Sequence, residues 1–173
     1  TLFPALLALV LTGATAHAQT PTLVSQHNNW DAYSYGGSKG KVCYALSKPT
    51  KLAPSDRNHG DVFFFVSNRP GENVNNEPSV IVGYAFKEQS SVSVDVDGQK
   101  FTMFTKNDGA WMANATEERQ LVAAMKAGRG MVVTGVSARG TQTTYEFSLS
   151  GITAAVTAAD RAWWPRIPPT KEI

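Results

Sequence analysis

The chain has 173 residues, 42% of them hydrophobic, and its 16 basic and 14 acidic side chains leave a formal charge of +2. One globular domain with a real core fits this length, and a second has little room. No Lys/Arg cluster accompanies the pI of about 8.7, so the sequence offers no electrostatic footprint for nucleic acid.

Leu2 to Thr15 is apolar and leads into Ala16-His17-Ala18, a small-x-small site of the kind signal peptidase accepts. Residues 1–18 are therefore read as a signal peptide. The run is shorter than the ~20 residues a spanning helix needs. The missing basic n-region and the starting Thr1 imply that a few residues precede this sequence. No later stretch is apolar for long enough to span a bilayer as a helix, so the mature chain is expected to be exported, in the periplasm or outer envelope. Residues 19–29, polar and containing Pro21, are expected to be a flexible mature N-terminus that does not pack.

From Trp30 the pattern becomes that of strands. Trp30, Ala32, Tyr33 and Tyr35 open an aromatic strand, Gly36-Gly37-Ser38 turns the chain, and Lys41 to Leu46 returns with Val42 and Tyr44 facing away from Cys43. Pro49 to Gly60 reads as a loop. It delivers the chain into Val62-Phe63-Phe64-Phe65-Val66, a run suited to a central strand covered on both faces. Glu72 to Pro78 reads as an Asn-rich surface loop, and Ser79 to Phe86 as a strand whose interior Gly83 signals a bulge or a close backbone approach.

The strongest local signal lies between Val92 and Met103. Val92, Val94 and Val96 alternate with Ser93, Asp95 and Asp97, and Asp97-Gly98 is a favoured pair for a two-residue type I′ turn. Closing the hairpin there sets Val94 against Phe101, Val92 against Met103, and Asp95 against Lys100. Asn114-x-x-Glu117 then starts a helix with Leu121, Val122 and Met125 on its inner face, and Gly128 stands where a left-handed C-cap belongs. Met131 to Val136 and Thr143 to Leu149 form a last strand pair. Gly151 to Arg161 reads as a short helix facing inward through Ile152, Ala155, Val156 and Ala159, and residues 162–173 as an irregular tail. About eight short strands with one helix near 115–127 and a short C-terminal one predict an all-β antiparallel sandwich over residues 30–161.

Catalytic and metal motifs are missing from this pattern. Gly135-Val136-Ser137-Ala138-Arg139 fails the G-x-S-x-G elbow at its fifth position, and a strand follows where a helix belongs. Cys43, the single cysteine, reads as a buried small hydrophobe with no disulfide partner in this chain. The histidines are singletons, no nucleotide fingerprint occurs, and Asp95-x-Asp97-Gly98 lacks the downstream Glu of a calcium loop. No cofactor or metal is expected. Arg69 and Arg139, each at a turn and near strand-borne aromatics, are the candidates for a contact surface toward a protein or glycan.

Taken in order, Trp30-x-Ala32-Tyr33, Val42-Cys43-Tyr44, Arg69-Pro70, Gly83-Tyr84, Val94-Asp95-Val96-Asp97-Gly98 with Phe101-x-Met103-Phe104, Ala110-Trp111, Ala124-Met125-Lys126-x-Gly128 and Ser137-x-Arg139-Gly140-Thr141 resemble the invasion-associated locus B proteins of alphaproteobacteria. So does the ending Tyr145-x-x-Ser148-Leu149-x-Gly151. The resemblance implies an immunoglobulin-like β-sandwich, an exported envelope protein linked to host-cell invasion in pathogenic members, and no catalytic residues to carry over. It also implies a cysteine soon after the Gly151 segment as a partner for Cys43. Here Asp160-Arg161-Ala162 stands in that place.

The expected function is thus non-enzymatic surface contact in the envelope, with an envelope or host protein or glycan as partner. Two alternatives remain. An envelope hydrolase using Ser137 or Cys43 requires His59 beside the nucleophile, within ~3.5 Å. A periplasmic small-ligand carrier requires a sizeable apolar cavity between the sheets.

Overall fold

The computed structural model describes residues 20–163, so the signal-peptide reading and most of the expected tail, from Trp164 on, lie outside the described residues, while Ala162 and Trp163 are helical rather than part of an irregular tail. Eleven strands occur among the described residues: β1 (Thr22–His27), β2 (Trp30–Gly37), β3 (Gly40–Ser47), β4 (Lys51–Ala53), β5 (Phe63–Arg69), β6 (Val74–Ile81), β7 (Ser91–Val96), β8 (Gln99–Lys106), β9 (Gly109–Trp111), β10 (Gly130–Val136) and β11 (Gln142–Ser148). Two helices accompany them, α1 (Ala115–Ala127) and α2 (Ile152–Trp163). The strands join one sheet in the order β1-β2-β3-β5-β6-β9-β8-β7-β10-β11-β4. The result is the mainly antiparallel, sandwich-like β fold that the strand pattern predicts.

The sheet folds over on itself so that the apolar side chains on the inner face of its central strands are buried together. The Trp30 indole donates to Ser148 O across the layers at 2.9 Å. The Phe64 ring meets Trp30 edge-on at 6.4 Å and Phe147 at 5.8 Å, which ties β2 and β5 to β11. Trp30, Phe64, Met103, Met125, Met131 and Phe147 are all buried and fill the interior. Each such side chain contributes about 1.5–3 kcal/mol relative to leaving it in water. α1 packs Leu121, Val122 and Met125 inward beside β6 and β8, and α2 lies along β1, β2, β3 and β5.

Several local signals specify their elements directly. The β7–β8 hairpin pairs Val92 with Met103, Val94 with Phe101 and Asp95 with Lys100. Asp97 and Gly98 take φ of 48° and 96° in its turn. Asn114 caps α1, its side-chain oxygen accepting from Thr116 N at 3.1 Å and Glu117 N at 3.0 Å. α2 buries Ile152, Ala155, Val156 and Ala159, the face its spacing predicts.

Other expectations are corrected. Within residues 19–29, Thr22–His27 is an ordered edge strand paired with β2 rather than an unpacked terminus. Its polar sequence hides it, since an edge strand needs only backbone hydrogen bonds on one side. The Asn-rich segment forms most of β6, whose backbone pairs β5 and β9, while 82–86 carries only an isolated bridge at Phe86. Lys51–Ala53 within the expected loop pairs β11. The run at 62–66 is buried on one face only, because Phe63 and Phe65 are half-exposed. Gly128 is extended at φ −87° rather than left-handed. Its requirement is space, since a Cβ there would lie 2.7 Å from Val96 Cγ1.

Candidate functional site

A cleft of about 630 Å³ opens where the loop after β4, the Tyr84–Ala85 segment and the β10–β11 turn meet. His59, Ser137 and Arg139, three of the residues singled out from sequence, line it together. Backbone contact makes the meeting possible. Gly83 N donates to His59 O at 3.1 Å, and a Cβ on Gly83 would lie 2.5 Å from Gly60 Cα. Only a glycine admits this approach. The close backbone contact expected at Gly83 is therefore real, and it holds His59 against the sheet.

His59 is buried and both ring nitrogens are engaged. Nε2 lies 2.8 Å from Pro54 O, a carbonyl that can only accept, so Nε2 carries a proton. Nδ1 lies 2.9 Å from the Tyr145 hydroxyl. That hydroxyl is 2.8 Å from the Tyr84 hydroxyl, which in turn is 2.6 Å from Thr143 Oγ1. A chain of hydrogen bonds thus runs from the loop through two tyrosines to β11. Burial first, and then the hydrogen bond with Tyr84, raises the Tyr145 pKa far above that of an ordinary tyrosine. Tyr145, Tyr84 and Thr143 were named in the sequence analysis for strand and family pattern but not as site residues. Their signal is long-range, since His59 and Tyr145 are 86 residues apart.

The hydrolase geometry does not form. Ser137 Oγ accepts from Thr141 N at 3.1 Å, as a turn hydroxyl does, and the His59 nitrogens are committed to Pro54 and Tyr145. Cys43 is elsewhere. It is fully buried on β3, opposite Asn68 of β5, whose side chain donates to Asp160 of α2 at 2.8 Å. Burial raises the thiol's pKa, with a smaller opposing effect from Lys41. A thiol so buried and with a raised pKa offers little thiolate at neutral pH.

The two arginines are separated in role and place. Arg69 donates to Glu72 and to Glu77, each at 3.0 Å, and is only partly exposed. Burial alone would lower its pKa, but the hydrogen bonds and charges of these carboxylates outweigh that and raise it. It clamps the segment between β5 and β6. Arg139, by contrast, is exposed at the tip of the β10–β11 turn and pairs with no carboxylate among the described residues.

A second feature lies on the outer face of the sheet. The register places Tyr33, Tyr44, Phe65, Trp111 and Phe104 on the side opposite the core. Tyr33 stacks on Tyr44 at 5.6 Å, Tyr44 meets Phe65 at 5.6 Å, and Phe104 lies 6.2 Å from Trp111. Lys48 stands over Phe63 at 5.2 Å. The first four of these rings are half-exposed and Phe104 is 49% exposed, so this face is an apolar surface and not a second core. Among the described residues no group of three His, Cys, Asp or Glu side chains stands close enough to hold a metal ion.

The profile of the invasion associated locus B (IalB) proteins matches residues 30–160, from the first buried tryptophan to the last turn of α2. The chain belongs to the IalB family. Its fold resembles the crystal structure of invasion associated protein B from Bartonella henselae, with a TM-score of 0.57 and 15% identity. That similarity covers 80% of this chain and 96% of the Bartonella chain. No curated protein matches. At such low identity the Bartonella protein establishes the shared IalB fold, and no residue role is transferred from it. No helix among the described residues of this IalB chain is long and apolar enough to cross a membrane.

Proposed function

We propose that this IalB-family chain is an exported cell-envelope protein that acts by surface contact rather than catalysis, contributing to host-cell attachment or entry where its bearer is a pathogen. The apolar row on the outer face, from Tyr33 through Phe65 to Phe104, carries the reading. Half-exposed aromatic residues concentrated on one sheet face are what a protein partner buries, since tyrosine and tryptophan give large contact area at small entropic cost. Arg69 borders this face and keeps the β5–β6 segment in shape, while Arg139 serves a separate contact at the cleft. The leader at residues 1–18 and the family support export. The separation of Ser137 and Cys43 from any free His59 nitrogen weighs against the hydrolase, and the filled interior against a carrier of ligands between the sheets.

The test uses the mature chain, residues 19–173, as bait in envelope extracts with chemical cross-linking, beside a Phe104→Asp, Tyr33→Ser variant. A protein captured by the native chain and lost with the variant supports the contact reading. Equal capture by both, or an esterase activity abolished by Ser137→Ala, overturns it. Fractionation of cells carrying the full chain checks export, and retention in the cytoplasm would refute that part.

A further inference from the structure

The cleft beside Tyr84 carries more cation than its walls can neutralise. Arg57 and Arg139 line it against one carboxylate, Asp56. Asp56 approaches Arg57 only to 4.0 Å, between well-exposed side chains, a contact that contributes little in water. Arg139 has no such neighbour among the described residues.

The base under Arg139 is preorganised. Ser137 N donates to Thr141 O at 2.9 Å, Gly140 N to Ser137 O at 2.8 Å, and Ala138 N to Ala85 O at 2.9 Å. The backbone that displays the guanidinium is already fixed, so the ordering left for binding is that of the Arg139 side chain alone. Below it the floor is made of hydroxyls. Tyr84 and Thr143 are joined at 2.6 Å and anchored from behind by Tyr145 and His59. Asn58, which lines the cleft, accepts from Gly60 N through its side-chain oxygen at 2.9 Å and keeps its amide nitrogen as a donor. The volume, about 630 Å³, falls among small-molecule sites.

We propose that this cleft binds an acidic saccharide by its carboxylate or phosphate. Arg139 takes the oxyanion through paired N–H donors, Arg57 adds a second cation at the rim, and Asn58, Tyr84 and Thr143 meet the sugar hydroxyls. An oxyanion suits two guanidiniums in one cleft because their fork of donors matches it bidentately. A hydroxylated body suits a floor that offers lone pairs at Tyr84 and Thr143, whose own protons go to Thr143 Oγ1 and Gly135 O, beside the Asn58 amide as a donor. The inference stands on the cleft alone and does not depend on the aromatic face, so either site can fail its own test without the other.

The experiment is an amide NMR titration of the mature chain, residues 19–173, with D-glucuronate, glucose 6-phosphate, glucose and inorganic phosphate. Arg139→Gln is the test variant and Lys100→Gln, on the distant hairpin, the control. The proposal expects saturable shifts at Tyr84, Ser137–Thr141 and Thr143 with one of the acidic sugars, and binding weakened about tenfold or more by Arg139→Gln but not by Lys100→Gln. A preference for glucuronate assigns the carboxylate source, and a preference for glucose 6-phosphate the phosphate source. Absence of saturable shifts up to about 20 mM, a millimolar scale at which even weak sites fill, overturns the proposal. So does equal binding of glucose, inorganic phosphate matching the sugar phosphate, or indifference to Arg139→Gln. Arg139 is exposed at a turn, and unchanged amide signals outside the cleft show that the variant is folded.

Discussion

Replacing Tyr145 by Phe removes one oxygen from the middle of the buried chain and leaves the ring in place. Tyr145 is 1% exposed, so no water takes over the lost contacts. His59 Nδ1 loses its partner at 2.9 Å and the Tyr84 hydroxyl one of its two. A hydrogen bond contributes about 0.5–1.5 kcal/mol net and a stranded buried polar atom costs about 1–3, a combined range of about 1.5–4.5 kcal/mol centred near 2–3. For a domain of this size that lowers Tm by about 5–10 °C. Urea and thermal denaturation followed by circular dichroism measure it, with Tyr84→Phe, at the half-exposed end of the chain, losing less. The pH dependence supplies a second arm. The raised Tyr145 pKa means that the folded protein keeps a proton which the unfolded chain releases near pH ~10. This contribution is fully present below that pH and is lost as the pH rises above it, at about 1.4 kcal/mol per unit for one proton. The Phe variant should therefore show a shallower fall in stability above pH ~10. A loss under about 0.5 kcal/mol, the size of an ordinary surface change, would refute the reasoning, as would parallel pH curves.

Three further outcomes follow from particular contacts. Asp160→Ala strands the buried Asn68 amide, whose other side-chain neighbour, Asn76, is a distant 3.4 Å away, and should lower stability by about 1–3 kcal/mol in urea denaturation. Gly83→Ala places a Cβ 2.5 Å from Gly60 Cα, which should cost about 1–3 kcal/mol and speed amide exchange at residues 59–61. Cys43, fully buried and with its pKa raised by burial, should resist iodoacetamide in the native protein and react once denatured; rapid native labelling would show that α2 does not cover it.

Elements specified by neighbours in sequence were legible. Asp97-Gly98 fixed both the turn and the register of β7 and β8, and Asn114 announced α1, because turn and cap chemistry act within a few residues. β1 and β6 were not legible. Thr22–His27 shows no clean alternation, and Val74–Ile81 is interrupted by Asn and Pro; both are strands through backbone pairing with β2 and with β5 and β9. Arg139, Ser137 and His59 could be singled out by residue type. Their meeting in one cleft depends on the Gly60–Gly83 approach, which a sequence hints at through glycine but does not pair.

The first and last parts of the domain are interlocked. Asn29 N donates to Ser150 O at 3.2 Å, the Trp30 indole reaches Ser148 O, and Lys51–Ala53 pairs with β11. Contacts of such sequence separation form late and slowly. A chain emerging from its N-terminus keeps β2 uncovered and β4 unpaired until about residue 150 has been delivered, and during that interval its strand edges are open to aggregation. Folding here is timed by the arrival of the final strand, so a chain cut short before β11 loses the closure of the whole sheet and not merely one edge of it.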